Sequence, residues 1–149
     1  MKRFIFILFT MCLLCPLVAN AQTSLAIEQF FDGRYDGDPS ITTIRMKNRE
    51  VQDGTLKRFN IEVGNVRVFS KMNKDTKAIE TAVLEDVKQA VEKRKGYTGK
   101  ELTYLCFSIR PKTGNQWRFV FYTKKQGKLF LALFEGDTTL AKIERVVGL

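Results

Sequence analysis

The chain has 149 residues, with 25 Lys and Arg against 16 Asp and Glu and no His, for a formal net charge of +9. Without His, the commonest general base and the usual zinc ligand are missing, and Ser-His-Asp or Cys-His catalysis within the chain is excluded. Neither G-x-x-x-x-G-K-[ST] nor G-x-G-x-x-G occurs, so no common nucleotide loop is present.

The chain opens with Lys2 and Arg3, then an apolar run from Phe4 to Val18, then Ala19-Asn20-Ala21 as a small-x-small cleavage site. This pattern predicts a secretory signal peptide over residues 1–21, and the apolar run is short for a membrane span. A lipoprotein signal at Cys15 does not fit, because Leu14 stands where a small residue is needed and Pro16 follows. Removing the first 21 of 149 residues leaves 128, a single domain over 22–149 with room for a real core. Lys2 and Arg3 leave with the leader, so the net charge falls from +9 to +7. Cys12 and Cys15 leave too, and Cys106 alone cannot form an internal disulfide; it reads as a buried strand residue. The expected location is export, to the periplasm or in association with the outer envelope.

Ser24 is an N-cap candidate for a short helix from Leu25 to Phe31, stopped by Gly33. The loop that follows carries Asp32, Asp36 and Asp38. Their spacing differs from an EF-hand and Arg34 sits among them, so a solvated loop is the better reading. Ile41 to Lys47 alternates and is β-branched, which predicts a strand. Asn48 to Thr55 is a polar connection. Leu56 to Ser70 is strand-like, with a bulge or sharp turn at Gly64-Asn65. A long helix is expected from Thr76 to Arg94, capped by Asn73 or Asp75. Ile79, Ala82, Val83, Val87, Ala90 and Val91 form its apolar stripe, and Gly96 ends it.

Glu101 to Glu135 reads as three strands and two turns, ELTYLCFSIR, PKTGN, QWRFVFYTKK, QG and KLFLALFE, hence an antiparallel meander. Leu102, Tyr104 and Cys106 should face one way and Leu105, Phe107 and Ile109 the other. The strands are apolar on both sides, so helices, a second subunit or a ligand must cover each face. Gly136 to Thr139 leads into an N-cap, and Leu140, Ile143, Val146 and Val147 have helical spacing. The sum is an α+β fold: a mostly antiparallel sheet of about five strands, with a three-stranded meander in the C-terminal half, packed against one long and two short helices.

No catalytic, cofactor-binding or metal-ligating residue stands out. Cations cluster at Arg45, Lys47 and Arg49, at Lys57 and Arg58, at Lys93, Arg94 and Lys95, at Arg110 and Lys112, and at Lys124, Lys125 and Lys128. They suit an anionic glycan or lipid of the envelope, or are simply solvated hairpin tips and helix ends. Export argues against nucleic acid as a partner. A binding surface would be sought near Trp117, Tyr122, Arg110 and Arg118. The reading is a non-enzymatic envelope domain that binds a protein, glycan or lipid partner. The alternatives are a carboxylate-dependent envelope hydrolase and a purely structural homodimer.

The leader, the segment IEQFFDGRY, the strand TTIRMK, the helix TKAIETAVLEDVKQAVEK and the closing ALFEGDTTLAKIERVV occur in this order. The arrangement resembles small exported proteins of unknown function from anaerobic, Gram-negative gut-type bacteria. The resemblance implies export and an α+β fold, and carries over no activity and no site residue.

Overall fold

Strand pairing is dictated by the apolar runs of the C-terminal half. The structure is a computed structural model, which describes residues 24–47, 62–72, 76–111 and 114–147. The expected leader, the connection and strand start at 48–61, and the caps Asn73 and Asp75 lie outside the described residues. Six strands form one sheet in the order β1-β2-β6-β5-β4-β3. They are β1 (Ile41–Lys47), β2 (Glu62–Met72), β3 (Glu92–Thr98), β4 (Glu101–Ile109), β5 (Trp117–Lys125) and β6 (Lys128–Asp137). All neighbouring pairs are antiparallel. The β5–β6 turn places Gln126 and Gly127 at φ 52° and 74°. That left-handed pair is what a two-residue hairpin needs, and Gly127 adopts it without steric cost.

Both faces of the sheet are covered. On the first, Phe69, Leu105, Phe107, Val120, Tyr122, Leu131 and Leu133 are buried. A 3-10 helix η1 (Ala26–Phe30) and an α-helix α1 (Lys77–Asp86), which runs into the 3-10 turn Val87–Gln89, lie over them. η1 contributes Ile27 and Phe30, and α1 contributes Ile79, Ala82 and Val83. On the second face, Val66, Cys106, Phe119, Phe121, Ala132 and Phe134 pack against Leu140 and Ile143 of α2 (Leu140–Val146). Thr139 caps α2 by accepting a hydrogen bond from the Lys142 N–H.

The expected architecture of about five strands and one long helix is corrected. The helix stops at Asp86 and the chain is extended by Ala90, where ψ is 134°. Val91, expected in the apolar stripe, is 52 % exposed. Its N–H donates to the Ser108 carbonyl at 2.9 Å, and Glu92–Thr98 continues along β4 as a sixth strand. The cause is tertiary. β4 is buried from Leu105 to Ile109, and its outer backbone groups need partners. That requirement overrides the helical preference of Glu92-Lys93-Arg94-Lys95. The same charges suit a solvent-facing edge strand, which they guard against pairing with another chain. Gly96 is therefore no helix stop. It lies in β3, where an added Cβ would meet Tyr104 Cβ at 3.2 Å.

Two irregularities set which residues share a face. Between Val63 and Asn65, β2 spends one more residue than β6, so Gly64 is an extra residue. In β4, Gly96 pairs with Tyr104 and Tyr97 with Leu102, leaving Thr103 extra. This bulge moves Leu102 to the first face, beside the Leu105 cluster and away from Tyr104 and Cys106. The first helix also differs from expectation. It is a 3-10 helix whose N-cap position is Leu25, with no side-chain cap bond from its own segment.

Phe69 joins the roof to the sheet: it is fully buried, with the Phe30 and Tyr35 rings at 5.8 and 5.5 Å. Phe69→Ala should cost roughly 3–5 kcal/mol of stability, read from the denaturant midpoint. A loss below about 1 kcal/mol would contradict this packing.

Candidate functional site

Cross-strand register places Asn65, Glu135, Arg118 and Ile109 side by side on the first face, at the sheet end where β2 and β5 begin. Three of the four are polar, so the apolar face ends in a polar row. Glu135 accepts hydrogen bonds from Asn65 Nδ2 and, at 3.4 Å, from Arg67 Nη2. Arg67 also stands 3.9 Å from Glu28 Oε1 and lies over the Phe31 ring, 5.6 Å from its centroid. Arg118 is only 5 % exposed, and its Nη2 donates a hydrogen bond to the Arg110 carbonyl at 3.4 Å.

The row is under-satisfied. Among the described residues, five buried side-chain atoms have no hydrogen-bond partner, and four belong here: Asn65 Oδ1, Arg67 Nε, and Nε and Nη1 of Arg118. Buried polar groups are nearly always paired, since an unpaired one costs about 1–3 kcal/mol. A cluster of them marks a place where the fold is not optimised for its own stability. Arg67 also helps to line an open depression of about 510 Å³, together with Ser24, Leu25, Glu28, Phe31 and Asp32.

Asp86, at the end of α1, holds the rim. Its Oδ1 accepts from the Ala26 N–H at 2.7 Å and its Oδ2 from the Ile27 N–H at 3.0 Å. A side chain some sixty positions away in the sequence thus caps η1. Burial pushes the Asp86 carboxyl above the usual carboxylate range, and the neighbouring Glu28 adds to this. The two N–H donors and the charge of Arg118 pull the other way. With both oxygens taken by backbone, Asp86 positions η1 and is not placed to transfer protons. Asp86→Ala should cost about 2–4 kcal/mol by stranding two donors. It should also speed amide exchange at Ala26 and Ile27 above the rest of the core; unchanged exchange there would contradict the clamp.

Of the residues named from sequence, Arg118 joins the row and Arg110 supplies it a carbonyl acceptor. Tyr122 is fully buried under α1, and Trp117 packs on the second face, so these four do not form one surface. Asp32, Asp36 and Asp38 do not converge. Asp32 accepts from Arg34, Asp36 pairs with Arg45, and Asp38 accepts from the N–H and hydroxyl of Ser40. No group of three or more Cys, Asp or Glu is placed to hold a metal among the described residues. Cys106 is buried, and burial pushes its thiol up to about 12. A thiol so rarely ionised is a poor nucleophile.

A second polar cluster lies at the opposite end of the first face. Glu80 Oε1 accepts from Thr76 at 2.8 Å, Lys124 at 3.0 Å and Tyr122 at 3.3 Å, and Lys124 also reaches Glu101 at 2.6 Å. Burial alone would raise the Glu80 pKa, but these bonds together hold it below its ordinary 4.5. Its stabilisation is therefore present above that value and is lost as the pH falls through the lowered native one. The bonds from Tyr122 and Lys124 of β5 to Glu80 make the cluster a tie between α1 and the sheet. Glu80→Gln should cost about 1 kcal/mol at pH 7 and little near pH 3, measured by thermal unfolding. An equal loss at both pH values would show that the charge is irrelevant.

On the second face, Tyr104 donates to Glu144 Oε1 at 2.5 Å and Arg94 pairs with Glu144 Oε2 at 2.8 Å. The edge strand β3 and α2 are thereby tied together. No helix among the described residues is long and apolar enough to cross a membrane.

The chain belongs to the family of unknown function DUF6108, whose model matches residues 14–147. No curated protein and no solved structure matches it.

Proposed function

We propose that this is an exported, non-enzymatic binding domain of the bacterial envelope, with residues 1–21 acting as a removable leader and the depression beside Arg67 as its contact site. The observation that carries the reading is the coincidence of unpartnered buried groups and a concavity. Four of the five unpartnered buried side-chain atoms among the described residues belong to Asn65, Arg67 and Arg118, and of these three residues Arg67 also lines the open depression. Scaffolds tolerate such groups at functional sites and seldom elsewhere. The hydrolase alternative lacks support in the same place, because the carboxyl with the raised pKa, Asp86, has both oxygens on backbone N–H groups.

Native mass spectrometry of protein isolated from its own envelope fraction tests the reading. The wild type should carry a non-covalent ligand, and Arg67→Ala should lose it. A ligand-free wild type with no affinity for envelope fractions would refute the reading. A structural homodimer draws on a different observation: Ile44 is 45 % exposed beside the half-buried Val68 and Phe130 on the second face. Sedimentation as a monomer at high concentration would remove it.

A further inference from the structure

We infer that the outer edge of β3 is a docking site for an extended, acidic segment of a partner protein, which adds to the sheet as a further strand. This surface is separate from the depression beside Arg67.

β3 ends the sheet on its side, and among the described residues no strand pairs with its outer edge. A strand at an edge leaves alternate N–H and C=O groups open to another chain. Edges are commonly blunted by proline, by a bulge or by shortness. β3 runs seven residues without proline, and the extra residue at its irregularity, Thr103, belongs to β4. β3 is also held in place. Arg94, on the second face, pairs with Glu92 at 3.3 Å and with Glu144 of α2 at 2.8 Å. An added strand therefore meets a fixed template and loses little to ordering it.

The side chains select the occupant. Lys93, Lys95 and Tyr97 alternate on the first face, opposite Phe107, Leu105 and Leu102, and all three are exposed. Among the described residues neither lysine has an acidic partner, whereas Arg94 between them has two. Val91 and Tyr97, 52 % and 58 % exposed, stand towards the two ends of the strand. The edge thus offers an unneutralised pair of charges flanked by two apolar contacts. Side chains two residues apart on a strand are about 7 Å apart, and a paired strand sets its own alternate side chains directly opposite. Carboxylates at alternate positions of a partner segment can therefore meet Lys93 and Lys95 together. A second copy of β3, laid antiparallel about Arg94, would set Lys93 against Lys95. The charges that bar self-pairing admit a strand of opposite sign.

The test adds a capped eight-residue peptide, alternating Glu with Val and Thr, to the isotope-labelled full-length protein. Amide exchange read by NMR should slow at the outward N–H groups of β3, and affinity should fall as salt rises. Lys93→Glu and Lys95→Glu together should weaken binding about tenfold or more. That double variant should instead bind the same peptide with Lys in place of Glu. Lys125→Glu, on the β5–β6 hairpin, should leave binding unchanged. Two further peptides, N-methylated at alternate amides in opposite phases, keep the charge, and the one whose methyl groups face β3 should fail to bind. Equal binding by both methylated peptides would overturn the inference, because charge alone would then suffice. Protection of β1 in place of β3, or no binding at millimolar peptide, would overturn it as well.

Discussion

The central strands are apolar on both faces, and neither face can be left to water. Val120 and Tyr122 of β5 and Leu131 and Leu133 of β6 are buried on one side, and Phe119, Phe121, Ala132 and Phe134 on the other. Every other element serves this constraint. η1 and α1 cover the first face, and α2 covers part of the second. β3 and β2 flank the central meander and satisfy its backbone, and β1 closes the far side of β2. Domains of this size rely on such a core, and among the described residues no disulfide assists it, since Cys106 is a free thiol.

The roof of the first face is built from pieces distant in sequence, and its attachment is polar. η1 is too short to hold itself as a helix and lacks a local cap. Asp86 supplies the cap, so the end of α1 fixes the start of η1. Where η1 ends, the sheet ends too, and the polar row of Asn65, Glu135 and Arg118 takes the place of apolar side chains. The unpaired donors and acceptor of Asn65, Arg67 and Arg118 distinguish this end of the sheet from the Glu80 cluster, where no buried polar atom is left without a partner.

Much of the local structure was legible and the architecture was not. Ile41–Lys47 forms a strand because its β-branched alternation has no competing period, and Gly64 is extra where a strand-breaking glycine preceded Asn65. The residues from Val87 to Thr98 misled, because apolar spacing at Val87, Ala90 and Val91 continues the helical stripe while the demand for strand partners comes from β4. A local pattern carries no information about that demand. Thr103 escaped for the same reason: a bulge exists only relative to a partner strand. The candidate site was almost invisible. Arg118 between Trp117 and Phe119 alternates like any outward charge, yet it points to the roofed face and is buried. The available signal was the polar intrusion of Glu135, which follows Leu129, Leu131 and Leu133 at alternate positions of β6.

The most direct test of the central claim observes the two arginine side chains themselves. Nitrogen-correlated NMR of the Nε–H groups should show Arg67 and Arg118 shifting together when envelope-derived ligand is added, with Arg94 and Arg145 unmoved. That result would place the ligand over the polar row. Shifts confined to other arginines, or no shift at Arg67 and Arg118 while binding is seen by other means, would contradict it and move the binding surface elsewhere on the protein.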